Sequence, residues 1–143
     1  MKSNASPDLV HLFLIGINER LCRSLARYLA RNPSIALVGE TSSVALAALL
    51  LPALHPDVVL LDWATLQRAA ASGVQALRRG NPDLRIICVA KDREAYRAAA
   101  TRAGADAMVS DDGFGDELEP VLQDFFPKRV RVPDGRTLAA KPG

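Results

Sequence analysis

Short apolar runs alternate along this chain with longer stretches in which apolar residues recur at helical spacing. Leu9 to Ile17 reads LVHLFLIGI, nearly all apolar, as a strand buried on both faces does. Asn18 can cap the stretch that follows, where Leu21, Leu25, Tyr28 and Leu29 recur on one helical face, and Asn32-Pro33 ends it. Ile35 to Val38 predicts a second, short strand. Ser42 or Ser43 can start a second helix through Leu54, stopped at His55-Pro56. Asp57 to Asp62 (DVVLLD) predicts a third strand with a buried-type centre. A third helix is predicted from about Thr65 to Arg79, ended by Gly80, Asn81 and Pro82. Leu84 to Val89 is the fourth strand. Asp92 can cap a fourth helix through Ala103, with Gly104 as its C-terminal glycine. Ala105 to Ser110 is the fifth strand, and the fifth helix holds Leu118, Val121, Leu122 and Phe125 on one face.

Five strands alternating with five helices predict an α/β domain whose parallel sheet is covered on both faces. Crossovers must be right-handed, which leaves few topologies. The flavodoxin-like doubly wound order 2-1-3-4-5 suits five such units. The domain is expected over residues 9–127, after an N-terminal extension (1–8) and before a basic C-terminal tail or linker (128–143). In that tail Lys128, Arg129, Arg131, Arg136 and Lys141 oppose only Asp134. It reads as a frayed end or a linker stub, or as a docking strand in which Val130 and Val132 alternate with arginines.

Composition changes this picture little. The chain has 143 residues, enough for one domain that buries roughly 70% of its unfolded surface without a disulfide or metal. A net charge of +2 does not argue for nucleic acid. Cys22 and Cys88 lie far apart without metal-type spacing and read as reduced core thiols. Met1 to Asp8 is polar and unlike a signal peptide. The longest uncharged stretch, Thr41 to Pro56, is too short to span a bilayer, so a cytoplasmic protein without a membrane partner is expected.

Pro56-Asp57-Val58-Val59-Leu60-Leu61-Asp62 resembles the third strand of response-regulator receiver domains, whose last aspartate accepts a phosphoryl group. Val38-Gly39-Glu40 is similar to the end of the second strand in the subfamily that usually carries a DNA-binding helix-turn-helix. Asn81 to Ile87 (NPDLRII) and Ala103 to Ala107 (AGADA) resemble that subfamily's approaches to the fourth and fifth strands. The four motifs stand in the right order across roughly Val10 to Phe126.

The resemblance implies a defined set of parts. An acidic pair after the first strand joins the acceptor aspartate in holding Mg2+, a hard ion that takes oxygen ligands. A lysine after the fifth strand pairs with the phosphoryl oxygens. A hydroxyl after the fourth strand and an aromatic residue on the fifth carry the switch. Here the acidic pair falls on Gly16 and Ile17, the hydroxyl on Ala90, the aromatic on Met108 and the lysine on Asp111. Of these parts only Asp62 remains, as the phosphoacceptor equivalent. No cofactor is expected, Mg2+ included, and no catalytic residue.

Asp62 reads either as a relic kept for local hydrogen bonds or as a signalling residue. Trp63 reads as a cover for the strand end or as a filler of the phosphate pocket. Glu19 can form a displaced metal site with Asp62, or favour the first turn of its helix through the dipole. His11 and His55 have no clustered partner in the sequence. In the second helix Leu46, Ala47, Ala48, Leu49, Leu50 and Leu51 leave an apolar surface almost all round, with no charge between Glu40 and Asp57. A surface helix normally keeps a polar face, so Leu46, Leu49 and Leu50 read as a surface for a partner or for a second copy, or as a short helix faced by small alanines. Asp111, Asp112, Asp116, Glu117 and Glu119 cluster around the start of the fifth helix. They read as dipole complementation, or as an acidic docking patch in which Asp116 and Glu117 take part.

The expectation is an atypical receiver that acts through protein contacts, independent of phosphorylation, in two-component-type signalling or transcription regulation. Its partner would be a kinase, a regulator or itself, as a homodimer, with nucleic acid reached only through a separate output domain. The other reading is a flavodoxin-fold module that binds a small molecule at the sheet's C-terminal edge, near Asp62, Trp63 and Ala90.

Overall fold

The computed structural model describes residues 9–66 and 68–129. Five parallel strands form one sheet in the order β2-β1-β3-β4-β5, as the sequence predicts. They are β1 (Val10–Ile15), β2 (Ile35–Thr41), β3 (Val58–Asp62), β4 (Arg85–Ala90) and β5 (Ala107–Ser110). The helices are α1 (Glu19–Ala30), α2 (Val44–Leu54), α3 (Trp63–Leu66), α4 (Arg68–Gly80), α5 (Arg93–Ala103) and α6 (Phe114–Phe125). Every residue of β3 is buried, because helices cover both of its faces. Phe13, Ile15, Val59, Leu61, Ile86 and Cys88 pack with α2, α4 and α5. Val10, Leu12, Leu14, Leu60, Val89 and Val109 pack with α1 and α6.

The capping signals act where the sequence places them. Asn18 accepts from the Leu21 amide at 2.9 Å, Ser43 from Leu46 at 3.1 Å and Asp92 from Ala95 at 3.2 Å. Each satisfies an amide that a helix start leaves without a partner. Gly104 closes α5 at a φ of 120°, and His55 closes α2 in the left-handed region at 48°.

Three elements differ from expectation. The third helical stretch starts earlier than expected, with α3 beginning at Trp63 directly after β3. The reason is Asp62, whose carboxylate accepts from the Ala64 and Thr65 amides at 3.0 and 3.3 Å and so begins a helical turn at the strand's end. β2 runs on to Thr41, pairing with β1 through Glu40 across an irregularity at Leu12/Phe13. The pairing brings Gly39 so close to Phe13 that a Cβ would stand 2.8 Å from its ring, which leaves room only for glycine. β5 starts two residues late, because the Ala105 amide is drawn back to Ala100 O at 2.9 Å.

Of the expected basic tail, Lys128 and Arg129 lie among the described residues. Arg129 donates to Leu9 O at 3.1 Å and to Asp57 at 3.2 Å, and stacks over Phe126. Arg131, Arg136, Lys141, the docking strand expected at Val130 and Val132, and the extension 1–8 lie outside the described residues.

Glu117 on α6 ties three elements together. Its carboxylate accepts from the Ser110 amide at the end of β5 at 2.8 Å, from the Ser110 hydroxyl, and from Arg93 at the start of α5 at 2.7 Å. Hydrogen bonds to a charged group contribute about 1.5–3 kcal/mol each, and more is lost when the partners stay half-buried. Glu117→Ala is therefore expected to lower the unfolding free energy by about 2–3 kcal/mol, and Glu117→Gln by less. Urea denaturation of both variants checks this.

The thiols divide. Cys88 is buried, whereas Cys22 is partly buried, packed against the α1–α6 side of the core. Burial pushes the Cys88 thiol up to about 12, with the Asp106 charge adding to it, and burial also raises the Tyr28 hydroxyl. The folded state thus holds these protons more tightly than the unfolded chain does. The stability they contribute is complete below pH 9 and drains away as the pH rises from 9 towards 12. One pH unit into that window, Cys88 accounts for a loss of about 1.4 kcal/mol. Melting curves from pH 8 to 11 are expected to slope downward, less steeply in Cys88→Ala.

Candidate functional site

The C-terminal edge of the sheet is where a doubly wound fold presents chemistry, because the strand ends and helix starts converge there. Gly16 leaves β1 at a φ of 69°, a conformation that favours glycine, and its amide bonds to Thr41 O at 2.8 Å. Ile17 follows, packed against the α1–α6 side of the core. Neither residue has a side-chain oxygen for a metal.

Asp62 ends β3, opposite Val89 of β4, and is only 4% exposed. Its carboxylate is engaged by the two α3 amides. Trp63 is buried and lies 6.3 Å from the Tyr96 ring of α5, so it covers the strand end. Ala90 ends β4, fully packed, beside Ser110. Met108 is buried beside Cys88 in the core under α2, α4 and α5.

Asp111 follows β5, its amide bonded to Ala90 O at 3.1 Å. Its carboxylate meets the Arg20 guanidinium of α1 at 3.3 Å, with side-chain exposures of 17% and 58%. An ion pair thus joins the first turn of α1 to the loop after β5, where the receiver pattern has a lysine and this chain has Asp111. Arg20 is the site residue that sequence reasoning missed. Its partner lies 91 positions away, and no local signal connects them.

Other candidates are not brought to this edge. Glu19 is well exposed and pairs with Arg23 at 3.3 Å, one helical turn on, not with Asp62. Among the described residues, no group of three or more His, Cys, Asp or Glu side chains is placed to hold a metal ion. His11, which the sequence leaves without a neighbour, lies at the opposite edge with Nδ1 3.8 Å from Asp57, the residue that also binds Arg129. His55 lines a cavity of about 730 Å³ at that opposite edge, with Asp57, Asn81, Phe125 and Arg129. A smaller cavity of about 310 Å³ opens at the C-terminal edge on the β1–β2 side, lined by Gly16, Asn18, Glu40, Thr41, Ser42 and Thr65. Asp62, Trp63 and Ala90 do not line it.

The acidic cluster is divided too. Asp111 and Glu117 are turned into intramolecular bridges, while Asp112 and Asp116 are exposed. On α2 the leucines singled out in the sequence stand in solvent: Leu46 is 47%, Leu49 76% and Leu50 36% exposed.

Known proteins share both the sequence pattern and the fold, although no protein-family model matches the chain. It is 32% identical over 136 residues to the DNA-binding transcriptional activator DevR/DosR of Mycobacterium tuberculosis. The alignment takes in 92% of this chain and 61% of that protein, so the chain spans about three fifths of its relative's length. Among solved structures it resembles the signal receiver domain of the response regulator NarL from Mycobacterium tuberculosis, with a TM-score of 0.71 and 24% identity over 91% of this chain and 100% of that one. It also resembles a LuxR-family two-component response regulator from Aurantimonas, with a TM-score of 0.73 and 20% identity over 87% and 90% of the two chains. The isolated receiver domain of Salmonella RcsB gives a TM-score of 0.72 at 16% identity, over 85% and 91%. The sequence relationship and the fold agree: the chain has the receiver-type fold and resembles the receiver domains of response regulators.

Proposed function

We propose that this domain is an atypical receiver, working through protein contacts in two-component-type signal transduction or transcription regulation without phosphorylation of Asp62. The observation that carries the reading is the ion pair Arg20–Asp111. A phosphoryl group on Asp62 would bring a charge of about −1.5 to −2. It would meet a carboxylate at residue 111 in place of a cation, and the nearby guanidinium is already engaged. A metal ion would supply several kcal/mol of compensation, but Gly16 and Ile17 offer it no ligand. Ala90 cannot donate a hydrogen bond to a phosphorylated form, and Met108 replaces the aromatic of the switch. The reading needs no cofactor, Mg2+ included, and assigns no enzymatic activity. Asp62 then serves as the cap that starts α3.

The partner in this reading is a protein: a kinase, another regulator or a second copy. DevR/DosR is a DNA-binding transcriptional activator, and RcsB has been solved bound to a promoter. Nucleic acid would accordingly be reached through a separate output domain. No helix among the described residues is long and apolar enough to cross a membrane, which accords with a cytoplasmic role.

The cavity beside Gly16 and Thr41 favours a second reading, a small-molecule module. It lies at the edge where open α/β sheets take ligands, and about 310 Å³ is at the small end of such sites.

Two measurements separate these readings. Incubation with acetyl phosphate and Mg2+ is expected to leave the intact mass unchanged; stoichiometric modification of Asp62 overturns the phosphorylation-independent reading. A thermal-shift screen with nucleotides and flavins is expected to be flat, and a rise of several degrees with one of them favours the small-molecule module.

A further inference from the structure

We propose that the outer face of α2 is the surface through which two copies of this chain pair. Every exposed position of α2 is alanine, leucine or proline. Four of its leucines stand in solvent: Leu46, Leu49, Leu50 and Leu54. Only two other large hydrophobics are comparably exposed among the described residues, Leu37 and Tyr96, and both lie on other elements. Elsewhere the helices present charge to water, as with Arg23 on α1, Arg97 and Arg102 on α5 and Asp116 on α6. A helix apolar all round is stable in water when something covers it.

The charge pattern selects the occupant. In a two-fold contact one patch is laid on its own copy, so it must complement itself, as an uncharged apolar face does. The stretch from Thr41 to Pro56 carries no Asp, Glu, Lys or Arg. A charged partner would find no counter-charge there, whereas a second α2 meets only apolar groups. The spacing agrees: Leu46, Leu49, Leu50 and Ala53 form an i, i+3, i+4, i+7 stripe, the pattern that packs on another helix of the same kind. Small residues beside large ones, Ala53 next to Leu49 and Leu50, let two such stripes interlock.

Size sets the strength. One three-turn helix face falls below the roughly 800 Å² per partner of a standard stable interface, so the pairing is concentration-dependent. It is also separate from the opposite edge of the sheet. β2 is one edge of the sheet and β5 the other, so a dimer through α2 leaves α5, β5 and α6 uncovered. The inference is independent of whether Asp62 is phosphorylated, and its failure would leave that reading untouched.

Sedimentation equilibrium of the full chain from about 5 to about 500 µM spans the range where so small an interface fills. The mass is expected to rise from one chain towards about two. Leu49→Glu and Leu46→Glu, both at exposed positions, are expected to stay at one chain throughout with unchanged melting temperature. Arg102→Glu on α5 is expected to pair like the unaltered chain. Hydrogen exchange of the unaltered chain gives a readout that needs no variant: the α2 amides should slow at high concentration. A chain that stays monomeric at the top of the range, pairing that persists in both glutamate variants, or α2 exchange that ignores concentration overturns the proposal.

Discussion

A parallel sheet packed on both faces has no place for charge except at its two ends, and that constraint organises this domain. β3 at its centre is buried at every residue, and helices close over both sides of it. Side chains that carry chemistry are pushed to the strand termini, where backbone amides and ion-pair partners gather. Asp62 and Asp57 bound β3 at its two ends, and both are bound within the protein. The first caps α3 and the second holds the His11 amide and Arg129.

At the C-terminal edge, electrostatics decide what the fold can do. Exposed ion pairs contribute little to stability, about 0–1 kcal/mol, so Arg20–Asp111 matters less for its energy than for its sign. A receiver that takes a phosphoryl group needs positive charge around its aspartate. Here Asp111 stands at the β5 end, and Arg20 of α1 is paired with it. Glu117 adds a second tie, holding β5, α5 and α6 through one half-buried carboxylate. The first tie joins α1 to the β5 end, and the second joins the β5 end to α5 and α6.

On the β2 side, α2 shows the opposite physics. It has no charged residue, and it packs on the sheet through Ala47 and Leu51 while its other leucines face out. The domain thus has one flank held by charges within the chain and another left apolar. The first suits a fixed shape and the second an association between molecules.

Periodicity and capping chemistry made most of the architecture legible from the chain alone. Apolar runs of strand length set five strands, and Asn18, Ser43, Asp92 and Gly104 set helix ends, because those signals act within a few residues of where they are written. The resemblance to receivers singled out Gly16, Ile17, Ala90, Met108 and Asp111, and their residue types showed which groups they lack. Only the folded chain decided what those groups touch. Arg20 reaches Asp111 because the crossovers bring α1 and the β5 end to one edge, and residues 91 positions apart share no local pattern. Glu117 turns inward instead of outward, and His11 finds Asp57, for the same reason. Backbone spacing fixes the face on which a side chain starts, but the partner of a charge depends on which loops the topology makes neighbours.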